Sequence, residues 1–140
     1  MKNYFSPQMS DGEIQNISGL GLAHLGDAVF ELLVRSAMCS LGRETQTGMH
    51  KAAVSMVNAS AQAAFAEILW EKLSGEERDV FRRARNAKVH SSPRNADIGS
   101  YHSATGLEAL FGWLFLKGRT ERINELFEVI MDHAEKDGES

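Results

Sequence analysis

A length of 140 residues is one domain's worth, and 43% hydrophobic with 24% charged residues is ordinary for a folded chain with a real core. The single cysteine, Cys39, excludes an internal disulfide framework and a cysteine-built zinc cluster, and with no run of bilayer length and no signal-peptide core in Met1–Pro7 the expectation is a cytoplasmic chain with no membrane partner. A net charge of −4 speaks at first against a nucleic-acid partner, but the charge is unevenly spread.

The N-terminal residues 1–18 read as an extension. A first helix is predicted over about 19–41. Its apolar residues Leu20, Leu22, Leu25, Ala28, Val29, Leu32, Leu33, Ala37 and Leu41 follow helical spacing, and Gly42 ends it. Cys39 falls in this run and reads as a packed small residue. A second helix covers about 48–57 and a third about 60–73, with Ser60 as its cap. Ser74 and Glu77 form a capping box that opens a fourth helix to about Ala87. Residues 88–101, with Pro93, Asn95 and Gly99, read as an exposed loop. A fifth helix spans about 103–117 and stops at Gly118. Thr120 caps a sixth, whose stripe is Ile123, Leu126, Phe127, Ile130 and Met131. Residues 134–140 read as a polar, frayed tail. No segment alternates as a strand, and only two prolines interrupt the chain, so the fold class is all-α with one domain over 19–133.

The charge is concentrated between Arg78 and Arg94. That segment carries Arg78, Arg82, Arg83, Arg85, Lys88 and Arg94 against Asp79 alone, a net +5 on a body of −9. A basic island on an acidic body is the footprint of a polyanion site, although an arginine-rich helix face is often only solvated surface.

Two segments about eighty residues apart carry the chemistry: Leu25-Gly26-Asp27-Ala28-Val29 and Gly106-Leu107-Glu108-Ala109-Leu110-Phe111-Gly112. Each sets one carboxylate in an apolar helical stretch beside a glycine. A carboxylate removed from water costs several kcal/mol unless it finds a cation, so two of them on two helices suggest a shared divalent-ion site. The bland alternative is two unrelated polar residues satisfied by caps or salt bridges. A glycine inside a helix costs roughly 1 kcal/mol relative to alanine and needs a reason. Close crossing of the two helices at Gly26 and Gly112 is such a reason, and it would bring Asp27 and Glu108 to one ion. Oxygen ligands of this kind suit Mg²⁺ or Mn²⁺.

At these residues the chain resembles the ribonuclease III family. Leu25–Val29 looks like the core of the family signature, and Leu107–Gly112 like its second acidic motif. Arg83-Ala84-Arg85-Asn86-Ala87-Lys88, followed by Pro93-Arg94-Asn95-Ala96, resembles the Mini-ribonuclease III branch, whose members consist of the catalytic domain alone. A length of 140 residues leaves no room for a double-stranded-RNA-binding domain, which fits that branch. Two positions depart from the four-carboxylate family site: Ala23 stands where the family has a glutamate, and Thr105 where it has an aspartate.

The resemblance implies a Mg²⁺-dependent endoribonuclease that cuts double-stranded RNA, leaves 5′-phosphate and 3′-hydroxyl ends, and matures precursor 23S ribosomal RNA. Asp27 and Glu108 would be the catalytic metal ligands, and a homodimer would place one site on each strand. Arg82, Arg83, Arg85, Asn86, Lys88, Arg94 and Asn95 would contact RNA. His24, a neighbour of Asp27, can be read as a ligand or base; the resemblance gives this position an aromatic residue packed across the dimer interface. His50, His90, His102 and His133 have no ligand spacing and read as surface residues, with His90 in the basic loop and near phosphate. Two rival readings are a non-catalytic RNA-binding module on the same fold and a helical protein–protein adaptor.

Overall fold

A computed structural model of the chain describes residues 1–42, 54–87 and 97–139, with backbone only for 135–139. All regular structure among the described residues is helical. Six helices are α1 (Asp11–Gln15), α2 (Gly19–Ser40), α3 (Ala59–Leu69), α4 (Gly75–Arg85), α5 (Ile98–Leu116) and α6 (Thr120–Glu139). Residues 54–57 are also helical, and the start of the helix expected at 48 lies outside the described residues. None of the described helices is long and apolar enough to cross a membrane.

α5 is apolar on every side, and that composition makes it the central helix. Ala104–Leu107 and Ala109–Leu114 are all buried. α2, α3, α4 and α6 pack around it. Phe30 of α2 marks the middle of the core. Its ring meets Phe65 of α3 at 6.4 Å, Phe111 of α5 at 5.6 Å and Phe127 of α6 at 6.0 Å, mostly edge to face. Four helices are thus joined at one aromatic cluster.

The Ser74–Glu77 capping box forms as expected, and Gly42 and Gly118 end their helices with positive φ. Several boundaries differ for local reasons. The cap of α3 is Asn58, whose side chain accepts from the Ala61 amide, so Ser60 lies inside the helix. A 3₁₀ turn, Trp70–Lys72, follows α3, and Leu73 is already extended. α5 starts at Ile98 rather than near Ser103, because the Asp97 carboxylate accepts from both the Ser100 amide and its hydroxyl at 3.2 Å. Thr120 is the first helical residue of α6. Arg119 is the cap, since its carbonyl accepts the first helical bond from Ile123. The backbone of the expected frayed tail is helical to Glu139. Cys39 is exposed on the last turn of α2 and not packed.

The N-terminal extension contains a helix that the sequence reading missed. Ser10 and Glu13 close a second capping box over α1. Ile14 is 1% exposed and belongs to the main core. Lys117, at the end of α5, pairs with Asp11 at 2.6 Å.

Candidate active site

Gly26 of α2 and Gly112 of α5 are where the two helices touch backbone to backbone. A Cβ on Gly26 would fall inside the Glu108 carbonyl, and one on Gly112 inside the Leu22 carbonyl. No side chain larger than hydrogen fits at either position, which is the reason two glycines are tolerated within long helices. The contact sets Asp27 and Glu108, each next to or one turn from a crossing glycine, on the same edge of the helix pair. Gly106 serves a neighbouring contact: the ring of Phe81 on α4 lies against it.

The two carboxyl groups differ in exposure. Glu108 is half-buried, whereas Asp27 faces solvent, so the expectation that both are withdrawn from water holds for Glu108 alone. Burial pushes the Glu108 carboxyl up to about 8; a hydrogen bond to Asp27 and repulsion from its charge act in the same direction. Glu108 therefore keeps its proton near neutral pH, with the Asp27 carboxyl as its hydrogen-bonding neighbour. Neither carboxylate has a Lys or Arg partner among the described salt bridges.

The positions where the family resemblance expects further carboxylates are both filled and buried. Ala23 is 7% exposed and Thr105 is 6% exposed. The Thr105 hydroxyl is committed to the Tyr101 carbonyl at 2.9 Å. Glu31, one turn beyond Asp27, pairs instead with Arg35 at 2.7 Å. No group of three or more metal-ligating side chains forms among the described residues. The donor set is two carboxyl groups, which suits a hard divalent cation whose remaining positions are taken by water and by ligand oxygens.

The basic helix is only partly free for a polyanion. Arg78 donates twice to the Trp70 carbonyl, at 2.8 and 3.2 Å, and lies over its indole. Arg82 also stacks on Trp70, and it approaches Asp79 at 3.5 Å. Arg83 donates to the Ile17 carbonyl at 3.0 Å, tying α4 to the turn between α1 and α2. Arg85 lies over Phe81 and donates to Asn86. Arg82, Arg83 and Asn86 remain exposed and Arg85 is half-buried. Lys88, Arg94 and Asn95 lie outside the described residues, as do His50 and His90.

His24 is exposed on α2 in a ridge with Leu20, Ala28 and Leu32, each four residues apart. Leu20 is 37% and Leu32 56% exposed. The other described histidines are not plain surface residues: His102 meets the Tyr101 ring at 5.7 Å and His133 the Phe65 ring at 6.2 Å.

Comparison with known proteins agrees with this architecture. The family model for the ribonuclease III domain matches residues 20–119. A Mini-ribonuclease 3 of Symbiobacterium thermophilum is 42% identical over 84% of this chain and 90% of its own length. One from Clostridium tetani is 32% identical over 100% of this chain and 94% of its own. The crystal structure of a Fusobacterium nucleatum protein, FN1578, superposes with a TM-score of 0.79 at 30% identity, covering 85% of this chain and 97% of that one. With the family model spanning most of the chain, and relatives matched along nearly their full length, this chain belongs to the ribonuclease III family.

Proposed function

We propose that this chain is a divalent-metal-dependent endoribonuclease that cuts double-stranded RNA, working as a homodimer with residues 19–133 as its catalytic unit. The observation that carries the reading is the Asp27–Glu108 pair: two carboxyls set side by side by a backbone contact, with no Lys or Arg salt-bridge partner among the described residues. A half-buried carboxyl set against a second carboxylate is costly to ionise unless a cation joins the two. Asp27 and Glu108 would hold Mg²⁺ or Mn²⁺, with Glu108 giving up its proton as the ion enters. The ion, when bound, supplies a water of lowered pKa and positive charge at the phosphoryl oxygens. The exposed Asp27 carboxylate faces the incoming strand, and Glu108 orients from the half-buried side. Cleavage in this manner leaves 5′-phosphate and 3′-hydroxyl ends.

Duplex RNA suits the rest of the surface. A-form RNA is recognised by its backbone, and the exposed Arg82, Arg83 and Asn86, with Arg85 beside them, supply phosphate donors; Lys88, Arg94 and Asn95 extend the basic run in sequence. The Leu20–His24–Ala28–Leu32 ridge supports a two-fold dimer, which would pair two sites with two antiparallel strands. Membership of the ribonuclease III family fits a natural role in maturing precursor 23S ribosomal RNA, with the bacterial cytoplasm as the place. The test is to incubate the purified chain with long duplex RNA with and without Mg²⁺. Metal-dependent fragments carrying 5′-phosphates are expected. Salt-sensitive binding without cleavage would leave a non-catalytic RNA-binding module, and no binding at all would leave a helical adaptor.

A further inference from the structure

Past its first turn, α5 reaches solvent only at Tyr101, His102 and Ser103, at Glu108, and at Phe115. Tyr101, Glu108 and Phe115 are seven residues apart. They therefore form one line along the helix, with about 10 Å between successive members at a rise of about 1.5 Å per residue. Glu108 occupies the middle of this line, and its two ends differ in chemistry.

The direction of each end follows from the crossing. Gly112 abuts Leu22 and Gly26 abuts Glu108, so the start of α2 lies toward the end of α5. The Phe115 end therefore lies toward Leu20 and His24, the apolar ridge already assigned to a second copy. The Tyr101 end points away from it. That ring is half-buried and held by the edge of His102, and its carbonyl is fixed by the Thr105 hydroxyl. Its own hydroxyl has no hydrogen-bond partner among the described residues. A phenol with its body packed and its tip without a described partner is a preorganised donor, and buried tyrosines ordinarily use that tip.

We propose that Tyr101 is a positioning residue, its hydroxyl donating a hydrogen bond to a phosphate oxygen of the cut strand beside the scissile bond. This rests on the reading of Asp27 and Glu108 as the cleavage site. Glu108 and Tyr101 then hold two points of one strand along a single rigid helix, which fixes the strand's angle as well as its place. A tyrosine adds no charge, so the contact contributes register and little to the salt dependence of binding.

The test is Tyr101→Phe, which keeps the ring and removes only the hydroxyl. Affinity for a duplex RNA is measured in a chelator, so binding is read without cleavage. The Kd is expected to rise about tenfold, the size of one charge-assisted hydrogen bond. With Mg²⁺, KM should rise similarly and kcat stay unchanged. Duplexes with a single methylphosphonate at each phosphate near the cut locate the partner: the penalty should vanish at one position only. A wild-type Kd for the Phe variant overturns the proposal, as does a penalty that persists on every methylphosphonate duplex. A drop in melting temperature large enough to explain the weaker binding also overturns it, since the role is then packing. If the wild-type chain binds RNA but never cleaves it, the cleavage reading fails while the Kd comparison still decides the contact.

Discussion

Two glutamates, Glu77 and Glu108, sit on helices that flank one another, and the chain treats them in opposite ways. Glu77 is 3% exposed, yet it accepts the Ser74 amide and two bonds from Arg122, both 2.9 Å. Arg122 goes on to the Lys72 carbonyl at 2.7 Å and to Glu125. Burial alone would push the Glu77 carboxyl up; the bonds to Arg122 and Ser74 outweigh it and hold it below its ordinary value. Glu108 is less buried but meets only another carboxyl, and it is pushed up to about 8. Satisfied charge marks a structural joint between α4 and α6. A carboxyl left without a cationic partner among the described residues, at a backbone crossing, marks a candidate site for something from outside.

The contrast is broken most sharply at the carboxyl pair. Asp27→Asn and Glu108→Gln should each lower cleavage of duplex RNA by about a hundredfold or more while the helical spectrum stays intact. Glu108→Gln should also melt higher than wild type in metal-free buffer. With its folded pKa raised, Glu108 contributes full stability in acid and loses it as pH rises through about 8. The advantage of the Gln variant should therefore grow with pH, and a flat difference across pH 5–9 would count against the pairing (about four units of scan suffice).

Arg122→Ala should do the reverse. It strands a buried carboxylate and should cost about 3 kcal/mol in denaturant unfolding, with cleavage per folded molecule unchanged. Because the Glu77 carboxyl is held low, its contribution is present above the ordinary glutamate range and is lost as pH falls through the lowered value. The wild-type and Arg122→Ala stabilities should thus converge in acid. Next in size, sedimentation of the wild-type chain should give twice the mass of one 15.5 kDa chain, and His24→Ala should weaken that dimer while sparing activity per dimer.

The smallest effects should sort the basic helix. Arg82→Ala and Arg85→Ala should each reduce the slope of log K against log salt by about one unit and raise KM more than they lower kcat. Arg83→Ala should add a stability loss of about 1 kcal/mol, because its guanidinium also holds the Ile17 carbonyl. An unchanged melting curve for Arg83→Ala would show that bond to be idle.

What the sequence made legible was local. The Ser74–Glu77 box, the stops at Gly42 and Gly118, and the pairing of Gly26 with Gly112 all follow from residue type and spacing. The same pattern at Ser10 and Glu13 was available and would have revealed α1, but a five-residue helix has no periodicity to draw attention to it. Asp97 was hidden because Gly99 and Pro93 dominate the reading of their segment. Arg122 gave no sign of its partner, which lies 45 residues away and is reached only by packing α6 against α4. The difference in exposure between Asp27 and Glu108 likewise depends on which helices cover α5. The roles given to the site residues rest on geometry and family membership, and the variants above are what test them.

The Gly26–Gly112 crossing has a one-sided mechanical character. Two helix backbones already in contact cannot approach further, so the gap between the carboxyls has a floor but no ceiling. Loosening of the core, by heat or by mutation at a distant site such as Phe30, can only widen it. At the proposed metal site, a widened gap would favour larger cations with longer bonds and irregular coordination over small octahedral ones. Destabilised variants should therefore drift in ion preference toward Ca²⁺ before they unfold, turning the choice of metal into a readout of how tightly the two helices are pressed together.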